Sequence, residues 1–152
     1  MSLDDTYYMT AALEEAQDAL HKGEVPIGAV IVHEKQIVAR GHNRREELHD
    51  ATAHAEILAI REAGRKLGGW RLSGSTLYVT VEPCPMCSGA LVMARVERVV
   101  YGIDDPKAGA VGTFYNIVTD ERLNHRLKVT AGVLAEESKA LMQQFFQSLR
   151  RK

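Results

Sequence analysis

The chain has 152 residues, 45% of them hydrophobic, which suffices to bury one sizeable core and predicts a single domain over residues 1–152. Its formal charge of −1 gives no global electrostatic footprint for nucleic acid, and the basic clusters Arg44-Arg45, Arg122 with Arg126 and Lys128, and Arg150-Arg151-Lys152 read as surface cations. No apolar run approaches the ~18 residues of a membrane span, and Met1-Ser2-Leu3-Asp4-Asp5 has neither the basic start nor the apolar core of a signal peptide, so a soluble, cytoplasmic protein is expected.

Residues from about 5 to 22 place Met9, Ala12, Leu13, Ala16 and Leu20 at three- and four-residue spacings, which predicts a helix with one apolar face, stopped by Gly23. A β-rich run, Ile27 to Val32, turns near Glu34-Lys35 and returns as Gln36 to Arg40, the pattern of a hairpin, with Pro26 and Gly28 as punctuation at its start. The polar stretch 41–50 has no periodicity and reads as a loop. A helix follows as far as the Gly68-Gly69 break, with Asp50 or Thr52 as candidate cap and His54 and Glu56 near its start. Thr76 to Val81 alternates as a strand, Pro85 to about Ala94 reads as a helix with proline in its first turn, and Arg98 to Gly102 is a short strand. The glycine-bearing segment 104–112 is an irregular connection of the kind that can cover a substrate. Lys128 to Val133 predicts a last strand, and Leu141, Phe145 and Leu149 stripe a final helix from about Glu136 to Arg150. Strands alternating with helices predict an α/β domain, a mixed sheet covered on both faces.

The chemistry concentrates in Pro83-Cys84-Pro85-Met86-Cys87 and His54-Ala55-Glu56, which hold both cysteines of the chain. Two cysteines three apart are too close to staple a fold, so metal or redox chemistry is favoured over a structural disulfide. At i and i+3 in a helix's first turn the two sulfurs share one side, where the positive end of the helix dipole favours thiolates. His54 would complete three protein ligands to zinc, leaving a fourth position for water whose pKa the metal can lower toward ~7. Glu56 would take that water's proton and pass it to the ring nitrogen and the departing ammonia. Residues two apart on a regular helix point to nearly opposite sides, so His54 must lie at the very first turn or just before it. His-x-Glu followed by Pro-Cys-x-x-Cys is the pattern of zinc-dependent nucleobase deaminases. The rival readings are a redox Cys-x-x-Cys and a structural zinc site recruiting His42, His49 or His125.

The motifs resemble those of the cytidine deaminase-like superfamily, and over nearly the whole chain the sequence resembles the bacterial tRNA-specific adenosine deaminases. The similarity runs through Glu24-Val25-Pro26-Ile27-Gly28-Ala29-Val30, Asn43, Thr52 to Glu56, Leu77 to Cys87, Asn124-His125-Arg126 and Phe145-Phe146. That resemblance implies a three-layer α/β/α fold with a five-stranded mixed sheet, one zinc ion per subunit, and a homodimer in which both subunits help form each RNA site. It implies conversion of adenosine to inosine at the wobble position of a tRNA anticodon, typically of an arginine tRNA. By position it assigns Asn43 to the flipped nucleoside, Ala55 to backbone contacts with the base, Pro83 to the pocket lining, Asp105 to the ribose, and Phe146 with the last basic residues to the anticodon loop. Asn43 and Asp105 also suit turns, and Phe146 a broadened core stripe. The competing functions are a deaminase of free guanine or cytosine bases or nucleosides, for which Asn124-His125-Arg126 and the basic C-terminal helix are superfluous, and a zinc-stabilised RNA-binding module without chemistry.

Overall fold

Two helix-covered faces follow from the way apolar residues alternate along the central strands. The structure, a computed structural model, describes residues 3–151; Met1, Ser2 and Lys152, which the reading of the two termini includes, lie outside the described residues. The elements are α1 (Leu3–His21), β1 (Gly28–His33), β2 (Gln36–His42), α2 (Arg45–Leu48), α3 (Ala55–Leu67), β3 (Ser75–Val81), α4 (Pro85–Met93), β4 (Arg98–Ile103), β5 (Lys128–Ala131) and α5 (Ala135–Arg150). The strands form one mixed sheet in the order β2-β1-β3-β4-β5, in which β1 runs antiparallel to β2 and β3, while β3, β4 and β5 are parallel. This is the expected α/β/α arrangement.

Ala29, Ile31, Leu77, Val79, Val99 and Tyr101 pack in one core with Ala55, Ala59 and Ala63 of α3 and Leu91 and Val92 of α4. Their neighbours Val30, Val32, Tyr78 and Val100 enter the opposite core, against Met9, Ala11 and Ala12 of α1. Successive residues therefore serve different layers, as a strand's period of two dictates. Full burial of a side chain such as Ile31 or Leu77 contributes roughly 1.5–3 kcal/mol. Gly41 lets α3 lie close on β2, because a Cβ there would collide with the Ala55 carbonyl, and Gly28 admits the backbone of α1 in the same way. Gly28 thus has a packing reason beyond punctuating the start of the strand. The hairpin turn is made by Glu34 and Lys35, both at positive φ, 50° and 63°.

A polar clamp fastens α1 across three strands. The Asp5 carboxylate accepts the Tyr78 hydroxyl (2.7 Å) and both ends of the Arg98 guanidinium (2.9 and 2.8 Å), and Arg98 also donates to the Thr130 hydroxyl (2.8 Å). Burial and the neighbouring Asp5 carboxylate push the Tyr78 phenol well above its ordinary range.

Three sequence expectations are corrected. The stretch 41–50 is not only loop, since it holds α2. Neither Asp50 nor Thr52 caps α3: Asp50 accepts the Thr52 N–H (2.8 Å) and hydroxyl (2.7 Å) in a local turn, and the cap is His54. The stripe of α5 stops at Phe145, for Leu149 is 47% exposed. No helix among the described residues is long and apolar enough to cross a membrane.

Candidate active site

The two motifs meet because two helices start at the same place. His54 and Cys84 are the capping residues of α3 and α4, each with extended backbone (φ −76°, ψ 153° and φ −75°, ψ 175°), and their carbonyls accept the first helical bonds from Leu58 (3.1 Å) and Ser88 (2.8 Å). A cap sits half outside its helix, so its side chain is released from the helical angle between neighbours. That resolves the tension between His54 and Glu56: His54 lies just before the first turn and Glu56 within it. Pro85 opens α4 and Cys87 stands at its third position, buried, while Cys84 is half-buried.

His54 Nδ1 lies 3.6 Å from Cys84 Sγ and 3.5 Å from Cys87 Sγ, and all three donor atoms fall within 4.8 Å of one another. Zinc bonds of about 2.3 Å to sulfur and 2.0–2.1 Å to nitrogen, set tetrahedrally, separate such ligands by about 3.6 Å. The donor set therefore fits zinc in type and spacing. The Cys84 thiol, through its hydrogen bond to Cys87 and then its contact with His54, is lowered to about 4, and the same bond pushes the Cys87 thiol up. His54 is raised in turn, chiefly by Cys84.

Beside these donors lies a cavity of about 110 Å³ lined by Val25, Ile27, Asn43, Arg45, His54, Ala55, Glu56, Glu82, Cys84 and Asp105. Glu56 is only 4% exposed. Burial first, and the Cys84 thiolate after it, raise its carboxyl to about 7, against the easing effect of its own backbone N–H, His54 and Cys87. A carboxyl poised near neutrality, able both to take and to return a proton, faces the same space as two of the three donors.

Two further glutamates shape the walls, and the motif reading gave them no role. The Glu82 carboxylate accepts the N–H groups of Asp105 (3.0 Å), Val111 (2.9 Å) and Thr113 (3.1 Å) and the Thr113 hydroxyl. Burial alone would raise Glu82, but these donors outweigh it and hold its pKa below the ordinary carboxylate value. Glu24 accepts the N–H groups of Glu46 (3.1 Å) and Glu47 (2.8 Å) at the start of α2. One glutamate thus fastens the segment 105–113 and the other the segment 44–48, the two rims of the cavity. The only sequence signal for either is adjacency, Glu82 before Pro83-Cys84 and Glu24 before Val25-Pro26.

The remaining candidates separate. Asn43 is buried in the wall with its Oδ1 accepting the Arg45 N–H (3.1 Å), which leaves its amide NH₂ as the group to offer a ligand. Ala55 is the first residue of α3, where a backbone N–H has no helical partner. Asp105 lines the cavity and also makes the turn expected of it, accepting Lys107 N–H (2.9 Å) and Ala108 N–H (3.3 Å), while Asp104 is taken by the Tyr101 hydroxyl (3.0 Å). Pro83 is buried outside the cavity lining, with its carbonyl accepting Ala110 N–H (2.9 Å). Phe146, 44% exposed, lines an adjoining cleft of about 530 Å³ that shares Val25, Ile27, Arg45 and Asp105 with the cavity. Arg45, which the sequence offers only as part of a basic pair, borders both spaces. His125 and Arg126 act as staples: His125 Nε2 lies 2.7 Å from the Val96 carbonyl, and Arg126 donates to the carbonyls of Glu121 (3.1 Å) and Leu123 (3.2 Å).

Comparison with known proteins follows the same lines. A family model described as MafB19-like deaminase matches residues 3–150. The chain is 54% identical, over 97% of its own length and 92% of the relative's, to a tRNA-specific adenosine deaminase of Bacillus subtilis. A solved structure from work on A-to-I editing by tRNA:A34 deaminases at the wobble position superposes with a TM-score of 0.86 at 46% identity, covering 90% of this chain and 99% of that one. The guanine deaminase from Nitrosomonas europaea is more distant, with a TM-score of 0.79 at 27% identity over 92% of this chain and 83% of that one.

Proposed function

The chain belongs to the tRNA-specific adenosine deaminases, within the MafB19-like deaminases, and from that premise we propose how its residues convert adenosine to inosine at the wobble position of a tRNA anticodon. The observation that carries the reading is the buried Glu56 carboxylate in the wall of the cavity that His54 and Cys84 also line. His54, Cys84 and Cys87 would hold one zinc ion, which would supply the Lewis acidity that makes water a nucleophile near neutral pH.

Glu56 accepts a proton from the attacking water and delivers it to N1 of the purine, then takes the remaining proton from the new C6 hydroxyl and delivers it to the departing amine. A C–O bond forms at C6, the C6–N bond breaks, and water and adenosine become inosine and ammonia. The Asn43 amide and the Ala55 N–H orient the flipped nucleoside, and Asp105 meets the ribose. Pro83 supports the pocket from behind through Ala110. Phe146 and Arg45, on the adjoining cleft, receive the neighbouring anticodon nucleotides. An anticodon loop already exposes its bases, so extruding one costs only a few kcal/mol.

The working unit is a homodimer, with an arginine tRNA as the expected substrate. Support for the dimer comes from α4, whose Met86 and Met93 lie seven residues apart on one helical face and are 37% and 70% exposed. The decisive experiment incubates zinc-loaded protein with an anticodon stem-loop carrying A at the wobble position, with free guanine and with cytidine. Inosine in the RNA alone is the expected result, whereas xanthine or uridine without inosine would assign the site to free bases or nucleosides.

A further inference from the structure

The cations of this slightly acidic chain are unevenly paired. Lys22, Arg40, Arg44, Arg98, Arg122 and Lys128 each lie 2.6–3.9 Å from a carboxylate oxygen. Arg61, Arg65, Arg71 and Arg95 are absent from those ion pairs, and among the described residues no carboxylate takes them; Arg61 only attracts Asp50 through space, and Arg95 donates to the carbonyls of Val92 (2.8 Å) and Met93 (3.5 Å). These unpaired cations are contiguous. Arg44, next to Asn43 on the active-site rim, shares a groove of about 500 Å³ with Arg61 and Arg65, which lie one turn apart on α3. Arg61 and Arg65 share a second groove, of about 360 Å³, with Trp70. The Trp70 ring lies 4.9 Å from the Arg71 guanidinium and 5.9 Å from that of Arg95. Glu15 and Glu62 also line the first groove, but Glu15 is already held by His42 (3.0 Å) and Arg40 (3.5 Å).

We propose that this strip, Arg61, Arg65, Trp70, Arg71 and Arg95, which leads away from the active-site rim at Arg44, is a track for the phosphodiester backbone of the substrate RNA beyond the anticodon loop. The proposal rests on the reading of the protein as a tRNA deaminase and adds where the nucleic acid runs once it leaves the cavity. With 13 residues, α3 is about 20 Å long, enough to follow several successive phosphates from the rim to the far end of the sheet. Arginines without carboxylate partners are available to phosphates, and each phosphate neutralised releases counterions whatever the sequence. Trp70, 61% exposed and bracketed by guanidinium groups, adds an aromatic face for a base or sugar. The weak overall charge is compatible with this, because four arginines without carboxylate partners adjoin one another along one path.

The test uses zinc-loaded full-length protein carrying Arg61→Glu with Arg65→Glu, or Trp70→Ala, with a whole tRNA and a minimal anticodon stem-loop. In the double variant, Kd for the whole tRNA should rise tenfold or more at moderate salt, and the slope of log Kd against log salt should become shallower by about 1.5, roughly 0.7–0.9 for each phosphate that is no longer neutralised. The kcat should stay within about twofold, the minimal stem-loop should lose less affinity, and Trp70→Ala should weaken binding several-fold with the salt slope unchanged. An unaltered Kd and slope in the double variant, while the wild type deaminates both RNAs, overturns the track and leaves the deaminase reading standing. A wild type that deaminates neither RNA overturns the deaminase reading itself. If instead the double variant sediments at half the wild-type mass, the strip covers a second copy of the chain and the track is wrong.

Discussion

The two walls of the active-site cavity each bury a glutamate, and the contrast between them separates chemistry from architecture. At the start of α3, Glu56 is 4% exposed and faces the His54, Cys84 and Cys87 donor group; at the end of β3, Glu82 is 2% exposed and faces three backbone N–H groups and a hydroxyl. Burial acts on both in the same direction. Its effect survives in Glu56, raised to about 7, and is overcome in Glu82, which ends below the ordinary value. A carboxylate surrounded by donors is a fixed anion that organises a loop, whereas one short of donors can exchange protons. The difference lies in the surrounding backbone, since the side chains are identical.

The hardest way to break this contrast is to remove the metal donors that give the Glu56 wall its purpose. His54→Ala should lower bound zinc from about one per chain to a trace and abolish inosine formation, while the fold, whose cores lie elsewhere, persists by circular dichroism. Full activity in a zinc-free His54→Ala protein would detach Glu56 from the metal altogether. Glu56→Gln should come next. It keeps the shape of the side chain, the zinc content and RNA affinity, and should lower kcat by about 10²- to 10⁴-fold in single turnover. A variant that turned over normally would remove the proton carrier from the mechanism.

Glu82→Ala should fail differently. Its loss orphans the buried Val111 N–H and unfastens the segment 105–113, so stability should fall by roughly 2–4 kcal/mol and amide exchange should accelerate in that segment before any other. Zinc content should hold, and the loss of kcat should be far smaller than for Glu56→Gln. If Glu82→Ala and Glu56→Gln gave the same kinetic loss at full stability, the division of labour between the two walls would be wrong.

What the sequence made legible follows the same division. His54, Glu56, Cys84 and Cys87 stand in two short motifs, and the strands of alternating period and the start of α4 at Pro85 can be read locally. Glu82, Glu24 and Asp5 cannot be read that way, because their partners lie 29, 23 and 93 residues away and only the folded sheet brings them together. Asn124-His125-Arg126 is conspicuous in sequence, but that its His125 and Arg126 meet backbone carbonyls is visible only in the fold. The α3 cap is misread from sequence because Asp50 and Thr52 satisfy each other, leaving the first turn to a residue whose side chain is committed to the site.

A clamp remote from the cavity sharpens the contrast from outside. Asp5→Ala removes the acceptor shared by Tyr78 and Arg98 and leaves a partly buried guanidinium uncompensated, at a cost of about 3 kcal/mol in urea unfolding. With the α3 and α4 starts untouched, kcat should remain within about twofold at temperatures where the variant is folded.

The smallest effect belongs to a carboxylate stabilised by side chains at the surface. The Glu15 pKa is lowered first by its hydrogen bond to His42, and then by His42 and Arg40 charge, which together exceed the cost of burial. Because the folded value lies below the unfolded one, about 4.3, the stabilisation is fully present above that pH and is lost as pH falls through the folded value. Glu15→Gln should therefore lower stability by no more than about 1 kcal/mol at pH 7, and the gap to the wild type should close as the protein is acidified below about pH 4. Glu15 gains its stabilisation from charged and polar side chains, where Glu82 gains it from fixed backbone donors, so added salt should erode the Glu15 gap and leave that of Glu82→Ala intact. Equal salt sensitivity in the two variants would mean that the Glu82 wall is held by charge and not by the geometry of its N–H groups.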